Sequence, residues 1–211
     1  MLLRDTSATA KDVAMLGGEG LMLVQGVTPE TVMTGVALNS VLAGIAVIRG
    51  QKALTPAGLL HAWILGVVLW ATLQGTGWAL CVIYLVFGSL VTKVGMAKKE
   101  ALGIAEGRGG RRGPENVWGS AAAGTICALL RCAFPHHAMT LQVGYVASLA
   151  TKLSDTFASE VGKAYGKTTI LATTFQKVPP GTEGAVSLEG TLAGVGGSLI
   201  IAGAAVGLGL C

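Results

Sequence analysis

Ala53-Leu-Thr-Pro-Ala-Gly-Leu-Leu-His-Ala-Trp-Ile-Leu-Gly-Val-Val-Leu-Trp-Ala-Thr-Leu-Gln-Gly-Thr-Gly-Trp-Ala-Leu-Cys-Val-Ile-Tyr-Leu-Val-Phe-Gly-Ser-Leu-Val-Thr92 is the stretch that decides the fold. It runs for about 40 residues without an Asp, Glu, Lys or Arg. A membrane span takes about 20 mostly apolar residues, so this run has room for two. The Gln74-Gly75-Thr76-Gly77 cluster near its middle predicts a tight turn, with spans over 58–73 and 76–92. Buried helices of a soluble protein are the alternative, and an uncharged run of this length argues against them.

Further charge-free stretches lie on either side. Thr31 to Ile48 ends at Arg49, and Val117 to Leu130 is flanked by Arg112 and Arg131. Cys132 to Thr151 opens on a Pro135-His136-His137 turn, and Gly190 to Cys211 is uncharged to the end. These predict spans over 31–48, 117–133, 139–153 and 190–210. The expected fold is an all-α polytopic transmembrane bundle of about six spans, over residues 30–211. Composition agrees: 12% of residues are charged, against about 25% in a soluble domain. The 32 glycines suit helices whose backbones approach closely. The net charge of +4, with no basic stripe interleaved with aromatics, points away from nucleic acid.

Threading this chain through a bilayer sorts its cations. Arg49 and Lys52, then Lys93 to Arg112, then Lys152, Lys163, Lys167 and Lys177 all fall on one side. That imbalance marks the cytosolic face or its equivalent, the stroma. Residues 1–29 form a separate N-terminal segment. Its acids Asp5, Asp12 and Glu19 fit neither a signal peptide nor a transit peptide. The stop at Cys211, directly after an apolar run, reads as a truncated product lacking a further span or two.

Three polar segments share the basic side. Lys93 to Ser120 is basic and rich in glycine. Gly113 follows Arg111 and Arg112, and Asn116 and Ser120 stand at the mouth of the next span. Backbone N–H groups and Arg forks in such a setting can cradle phosphates. For Lys98 and Lys99, anchoring at the headgroups is the simpler reading. In Ala150 to Thr169, a helix puts Asp155, Ser159 and Gly162 on one face, Lys152 pairs with Asp155 or leaves it free for a divalent cation, and Gly166 extends the stripe. Lys177 to Gly194 turns at Pro179-Pro180-Gly181 and then carries Glu183 and Glu189, with Ser187 and Thr191 bracketing the second. Carboxylates, nearby Lys and Arg, and open backbone fit phosphoryl transfer.

Other features read as packing. Cys81, Cys127, Cys132 and Cys211 lack zinc spacing or a disulfide framework. Asn39 reads as a hydrogen bond between helices, and Gly203 with Gly207 as a packing face. The His136-His137 pair lies on the far side.

Ser154-Asp155-Thr156-Phe157-Ala158-Ser159-Glu160-Val161-Gly162-Lys163, Gly166-Lys167-Thr168 and Gly181 to Thr191, with Gly109-Gly110-Arg111-Arg112-Gly113-Pro114, resemble the phytyl-phosphate kinase family of plants and cyanobacteria. That family shares its membrane domain with transmembrane protein 19. A looser similarity, through Asp155, Gly162 and Gly166 and then Ser187-x-Glu189-Gly-Thr191, is to polyprenol and phytol kinases that use CTP. The resemblance implies conversion of phytyl phosphate to phytyl diphosphate by a nucleoside triphosphate, with Mg²⁺. It implies phytol salvage for tocopherol synthesis in a chloroplast envelope membrane. It also implies Asp155 and Glu189 as catalytic, metal-linked acids. Arg111, Arg112, Lys163, Lys167, Gly162, Gly166, Ser187 and Thr191 would serve the phosphates, with Asn116, Ser159, Glu160 and Glu183 in support. The alternatives are a non-catalytic transporter or lipid-binding protein, and a kinase for another prenyl monophosphate.

Overall fold

The computed structural model describes residues 27–211. The reading of an N-terminal segment over 1–29 falls largely outside the described residues.

Helix α1 spans Pro29–Ile48, with Pro29 at its first position and Thr28 as N-cap. Proline loses nothing there, because that N–H has no helical partner. Met33, Val41, Ile45 and Ile48 point outward, while Gly35 and Asn39 face α2. Asn39 accepts from the Trp78 indole at 3.2 Å, the predicted bond between helices.

Helix α2 spans Pro56–Lys93 and is two legs, not one rod. Gln74 has φ 57° and ψ −161°, far from helical values. The chain reverses there. Cβ atoms added at Gly58 and Gly88 would both strike Arg112, at 2.2 and 2.6 Å. In a straight helix those glycines would stand about 45 Å apart at 1.5 Å per residue. Trp70 and Trp78, on opposite legs, lie edge to face with centroids 5.7 Å apart. The turn expected near Gln74 is present, compressed to one residue.

A reversal at the end of a span frees carbonyls that must find donors. They do. Tyr145 donates to the Gly77 carbonyl at 2.6 Å, and Arg131 to the Thr72 carbonyl at 3.4 Å.

A short helix α3, Met96–Ala101, and a 3-10 turn, Gly107–Gly110, follow. Helix α4 spans Pro114–Ala133 and α5 spans Ala138–Tyr165, joined by the turn Pro135–His137. The predicted span 139–153 is too short as an element. Its helix runs on to Tyr165 and carries the Asp155 motif with it. A two-stranded antiparallel ribbon, β1 Ile170–Leu171 with β2 Ala185–Val186, flanks the turn at Pro179-Pro180-Gly181. Helix α6 spans Leu188–Gly207, with Ser187 as N-cap.

Among the described residues, α1, α2 and α6 are apolar and long enough to cross a membrane. Helices α4 and α5 have the length, 20 and 28 residues. They carry more polar groups and occupy the centre, where Tyr145, Leu149 and Leu153 are buried. The most extensive packing is α5 on α6. Cβ atoms at Gly190, Gly194 and Gly197 would lie 2.5 Å from the Ala158 carbonyl, 3.1 Å from Ser154 Oγ and 2.9 Å from the Leu153 carbonyl. In a lipid solvent close packing of small residues, rather than water exclusion, joins helices.

Candidate phosphate-binding cleft at the basic membrane face

The helix ends gather Arg112, Asn116, Ser120, Lys152, Asp155, Ser159, Glu160 and Lys163 around one cleft of about 270 Å³. Helix α5 supplies Lys152, Asp155, Thr156, Ser159, Glu160 and Lys163 at helical spacing.

Arg112 is held from several sides. Its N–H donates to the Ala53 carbonyl at 2.9 Å, and its carbonyl accepts from Thr55 at 3.0 Å. Its side chain passes over Gly88, donates to Tyr84 Oη at 3.0 Å and lies 5.5 Å from the Tyr84 ring centroid. Tyr84 in turn donates to Ser120 Oγ at 2.6 Å. Arg112 Nε is buried with no partner. A guanidinium fixed in place with spare donors is a ready receptor for an anion.

Lys99 was read as a headgroup anchor, and the structure overturns that. It is fully buried and pairs with Glu160, itself almost entirely covered. Lys99 also donates to the Thr92 carbonyl at 2.7 Å, and Lys163 approaches Glu160 at 3.4 Å. Lys98 caps the end of α5, donating to the Ala164 carbonyl at 2.6 Å. Both lysines dock α3 onto α5 because α3 folds back across that helix end. Glu160 is therefore a structural partner that also forms part of the cleft wall.

Asp155 is exposed and bonded to Lys152 at 2.9 Å. Exposed pairs of this kind contribute little, so either partner is available to a ligand. At the rim, Arg108 bonds Glu115 and holds that carboxyl below the usual carboxylate range.

The remaining predicted residues lie elsewhere. Arg111 points outward and bonds the Arg108 carbonyl at 3.3 Å. Gly162 and Gly166 receive the Ser187 side chain, since Cβ atoms there would lie 3.2 and 2.9 Å from its Oγ. Ser187 Oγ accepts from Gly190 N–H at 3.1 Å as the α6 cap, and Thr191 bonds back to the Ser187 carbonyl at 2.9 Å. Lys167 is exposed in the bend after α5. Glu183 lines a neighbouring cleft of about 330 Å³ with Ser159, Gly162, Lys163 and Ser187. Glu189, in the first turn of α6, lines neither cleft. The expected meeting of Asp155 and Glu189 in one cleft is therefore not what the structure has. The face of α5 against α6 and the face bearing Asp155 are different.

Sequence reasoning missed Lys99, Tyr84 and the rim pair Arg108–Glu115. A Lys in a basic loop and a Tyr in an apolar span carry no signal of these contacts.

The sequence pattern of the integral membrane protein family DUF92 matches residues 39–211. The chain belongs to the DUF92 family. Among its relatives is an uncharacterized membrane protein of Synechocystis, 55% identical over 84% of this chain and 69% of that one. Protein VTE6, chloroplastic, of Arabidopsis thaliana is 44% identical over 98% of this chain and 63% of that one. An uncharacterized membrane protein of Methanocaldococcus jannaschii is 32% identical over 73% of this chain and 62% of that one. The DUF92 chain thus spans roughly two thirds of each relative's length. No solved structure matches it.

Proposed function

We propose that the chain is a membrane kinase that transfers a phosphoryl group from a nucleoside triphosphate to a lipid monophosphate. The acceptor is phytyl phosphate, the product phytyl diphosphate, and CTP is the donor. The observation that carries this reading is the cleft at the basic membrane face. It sets Arg112, Lys152 and Lys163 beside Asp155 where polar head and apolar helices meet. The resemblance of the Ser154 to Lys163 and Gly181 to Thr191 segments to phytyl-phosphate kinases supplies the substrate. The chloroplastic relative supports a plastid membrane, and the Lys/Arg imbalance between loops favours the basic side facing stroma or cytosol.

The acceptor's chemistry suits these residues. A phosphate monoester is largely dianionic at neutral pH, with a second pKa of about 6. Its oxygen can attack the donor's terminal phosphorus without a general base. A phosphorus–oxygen bond forms to the acceptor, and the bond to the departing nucleoside diphosphate breaks. The protein's task is to hold two polyanions together and spread the charge. Arg112 fits the acceptor phosphate, and Lys152 and Lys163 fit the donor.

Magnesium suits the site in one way. Among the described residues no three of His, Cys, Asp and Glu cluster to hold a metal. Mg²⁺ commonly takes one or two carboxylates plus substrate phosphates. Asp155, exposed on the α5 side of the cleft opposite the rim carboxylates Glu106 and Glu115, would hold a Mg²⁺ that arrives with the triphosphate. Bound there, the ion would neutralise charge on the transferring group.

The test is purified full chain with phytyl phosphate, Mg²⁺ and each of CTP, ATP, GTP and UTP, with products read by mass spectrometry. Phytyl diphosphate is expected, with CTP preferred, and Asp155→Asn should lower the rate at least tenfold. Absence of diphosphate with all four donors sinks the reading, and wild-type turnover by Asp155→Asn sinks the site.

A further inference from the structure

The polar cleft does not end at Arg112. A second cavity, of about 280 Å³, lies between α1, both legs of α2 and α4. Its walls are apolar, formed by residues such as Leu42, Leu59, Leu65, Val82 and Leu85. Arg112, Asn116 and Ser120 line this cavity and the polar cleft alike. The Tyr84 hydroxyl, in the wall of the apolar cavity, joins Arg112 to Ser120 there, and Arg112 carries a full positive charge.

The end away from Arg112 is walled by residues of α1 and of both legs of α2. Asn39, Trp78 and Leu69 line it. Asn39 is locked by two hydrogen bonds, to the Gly35 carbonyl at 2.8 Å and from Trp78 at 3.2 Å. From Leu59 to Leu69 the wall descends about 15 Å at 1.5 Å per residue. A side opening is present as well. Ala46, Ala53, Leu54 and Leu59 belong both to this cavity and to an open depression of about 530 Å³ whose rim bears Arg49 and Lys52.

A void among helices rich in Gly and Ala is not forced by packing, since such helices can close together. An apolar cavity is filled by an apolar ligand in preference to water. The cation at its mouth, with Arg112 Nε buried and unpartnered, calls for an anion at the head of that ligand.

We propose that this cavity binds the hydrocarbon chain of a single-tailed lipid monophosphate, with its phosphate at Arg112, Asn116 and Ser120 and its tail end against Trp78 and Asn39. The lipid enters sideways from the bilayer between α1 and the start of α2, under Arg49 and Lys52. The floor at Asn39 and Trp78 limits the length of chain accepted. The inference rests on the lipid-phosphate reading of the cleft and adds where the tail lies and what measures it.

The experiment reads binding rather than turnover. The probe is a C20 isoprenoid monophosphate with a photoreactive diazirine at its tail end, added without nucleotide to the full chain in phosphatidylcholine vesicles. Crosslinks are expected on the peptides holding Asn39 or Trp78, and unlabelled C20 monophosphate should reduce them tenfold or more. Crosslinks on outward residues of α6 such as Leu199 or Val206 overturn the proposal. So does equal competition by a diacyl lipid monophosphate (phosphatidic acid). As a second measurement, Ala43→Phe and Ala62→Phe, which fill the cavity, should each weaken C20 monophosphate binding at least tenfold and C5 monophosphate binding less than twofold. Unchanged C20 binding in both variants also overturns it. Tail crosslinks at Trp78 without turnover leave this inference standing and sink the kinase reading. Turnover with crosslinks elsewhere does the reverse.

Discussion

Helix α5 has two faces of opposite character. One, through Ser154, Ala158 and Gly162, presses on the Gly190, Gly194 and Gly197 ridge so closely that a single Cβ does not fit. The other, through Lys152, Asp155, Ser159 and Lys163, stands open to a cleft. The first face fixes the helix, and the second presents the Lys152–Asp155 pair and Lys163 to the cleft. Small residues serve rigidity on one side, and ionisable residues serve binding on the other. Glu160 borders the open face, yet it is spent on Lys99.

Substitutions on each face test that division. The largest loss of stability belongs to the buried pair. Lys99→Met leaves buried Glu160 with only the more distant Lys163, at 3.4 Å, and should cost up to about 3–5 kcal/mol of stability. Unfolding of the detergent-solubilised protein measures this. Adding Glu160→Leu should recover more than half, and no recovery would mean that Lys99 acts through something other than Glu160. Next is Arg112→Gln, which should reduce turnover about 10²–10³-fold, as removal of a preorganised charge donor does. Steady-state kinetics with phytyl phosphate reads it. Smaller is Gly190→Ala, whose new Cβ meets the Ala158 carbonyl at 2.5 Å. It should cost about 1–3 kcal/mol through overpacking, visible as a lower melting temperature. The smallest belongs to Glu189→Gln, which lies off both clefts. It should alter stability by under about 0.5 kcal/mol, and the same kinetic assay should show a rate within threefold of wild type. A large fall in turnover would place the first turn of α6 in the site and break the division between the faces.

Much of the fold was legible in the sequence. The uncharged run with Gln74 near its middle was legible as two spans joined by a tight turn, because about 40 residues without a charge are twice what one crossing takes. Asp155 and Ser159 were legible as one face from helical spacing, but Gly162, read onto the same face, packs against Ser187 and Gly190 of α6 instead. The choice between Arg111 and Arg112 was not legible. Neighbours in an extended segment point opposite ways, and what selects Arg112 is its backbone pairing with Ala53 and Thr55, far away along the chain. Burial of Lys99 was hidden for a similar reason, since it depends on α3 folding across the end of α5. Ser187 and Thr191 match the phosphate motif in type, but helix geometry turns their oxygens to capping and back-bonding. Local chemistry names both uses of a hydroxyl equally well, and only the position of the neighbouring backbone decides.

The one-residue reversal at Gln74 also constrains how this protein is made. There is no hydrophilic connector between the two legs of α2 to be carried across the bilayer. Until α4 and α5 are made, the Thr72 carbonyl at the end of the first leg and the Gly77 carbonyl at the start of the second lack their donors, since Arg131 and Tyr145 are synthesised dozens of residues later. The two legs must therefore enter together as a closed hairpin and wait at the polar boundary, their turn exposed to water, until α4 and α5 arrive to complete it.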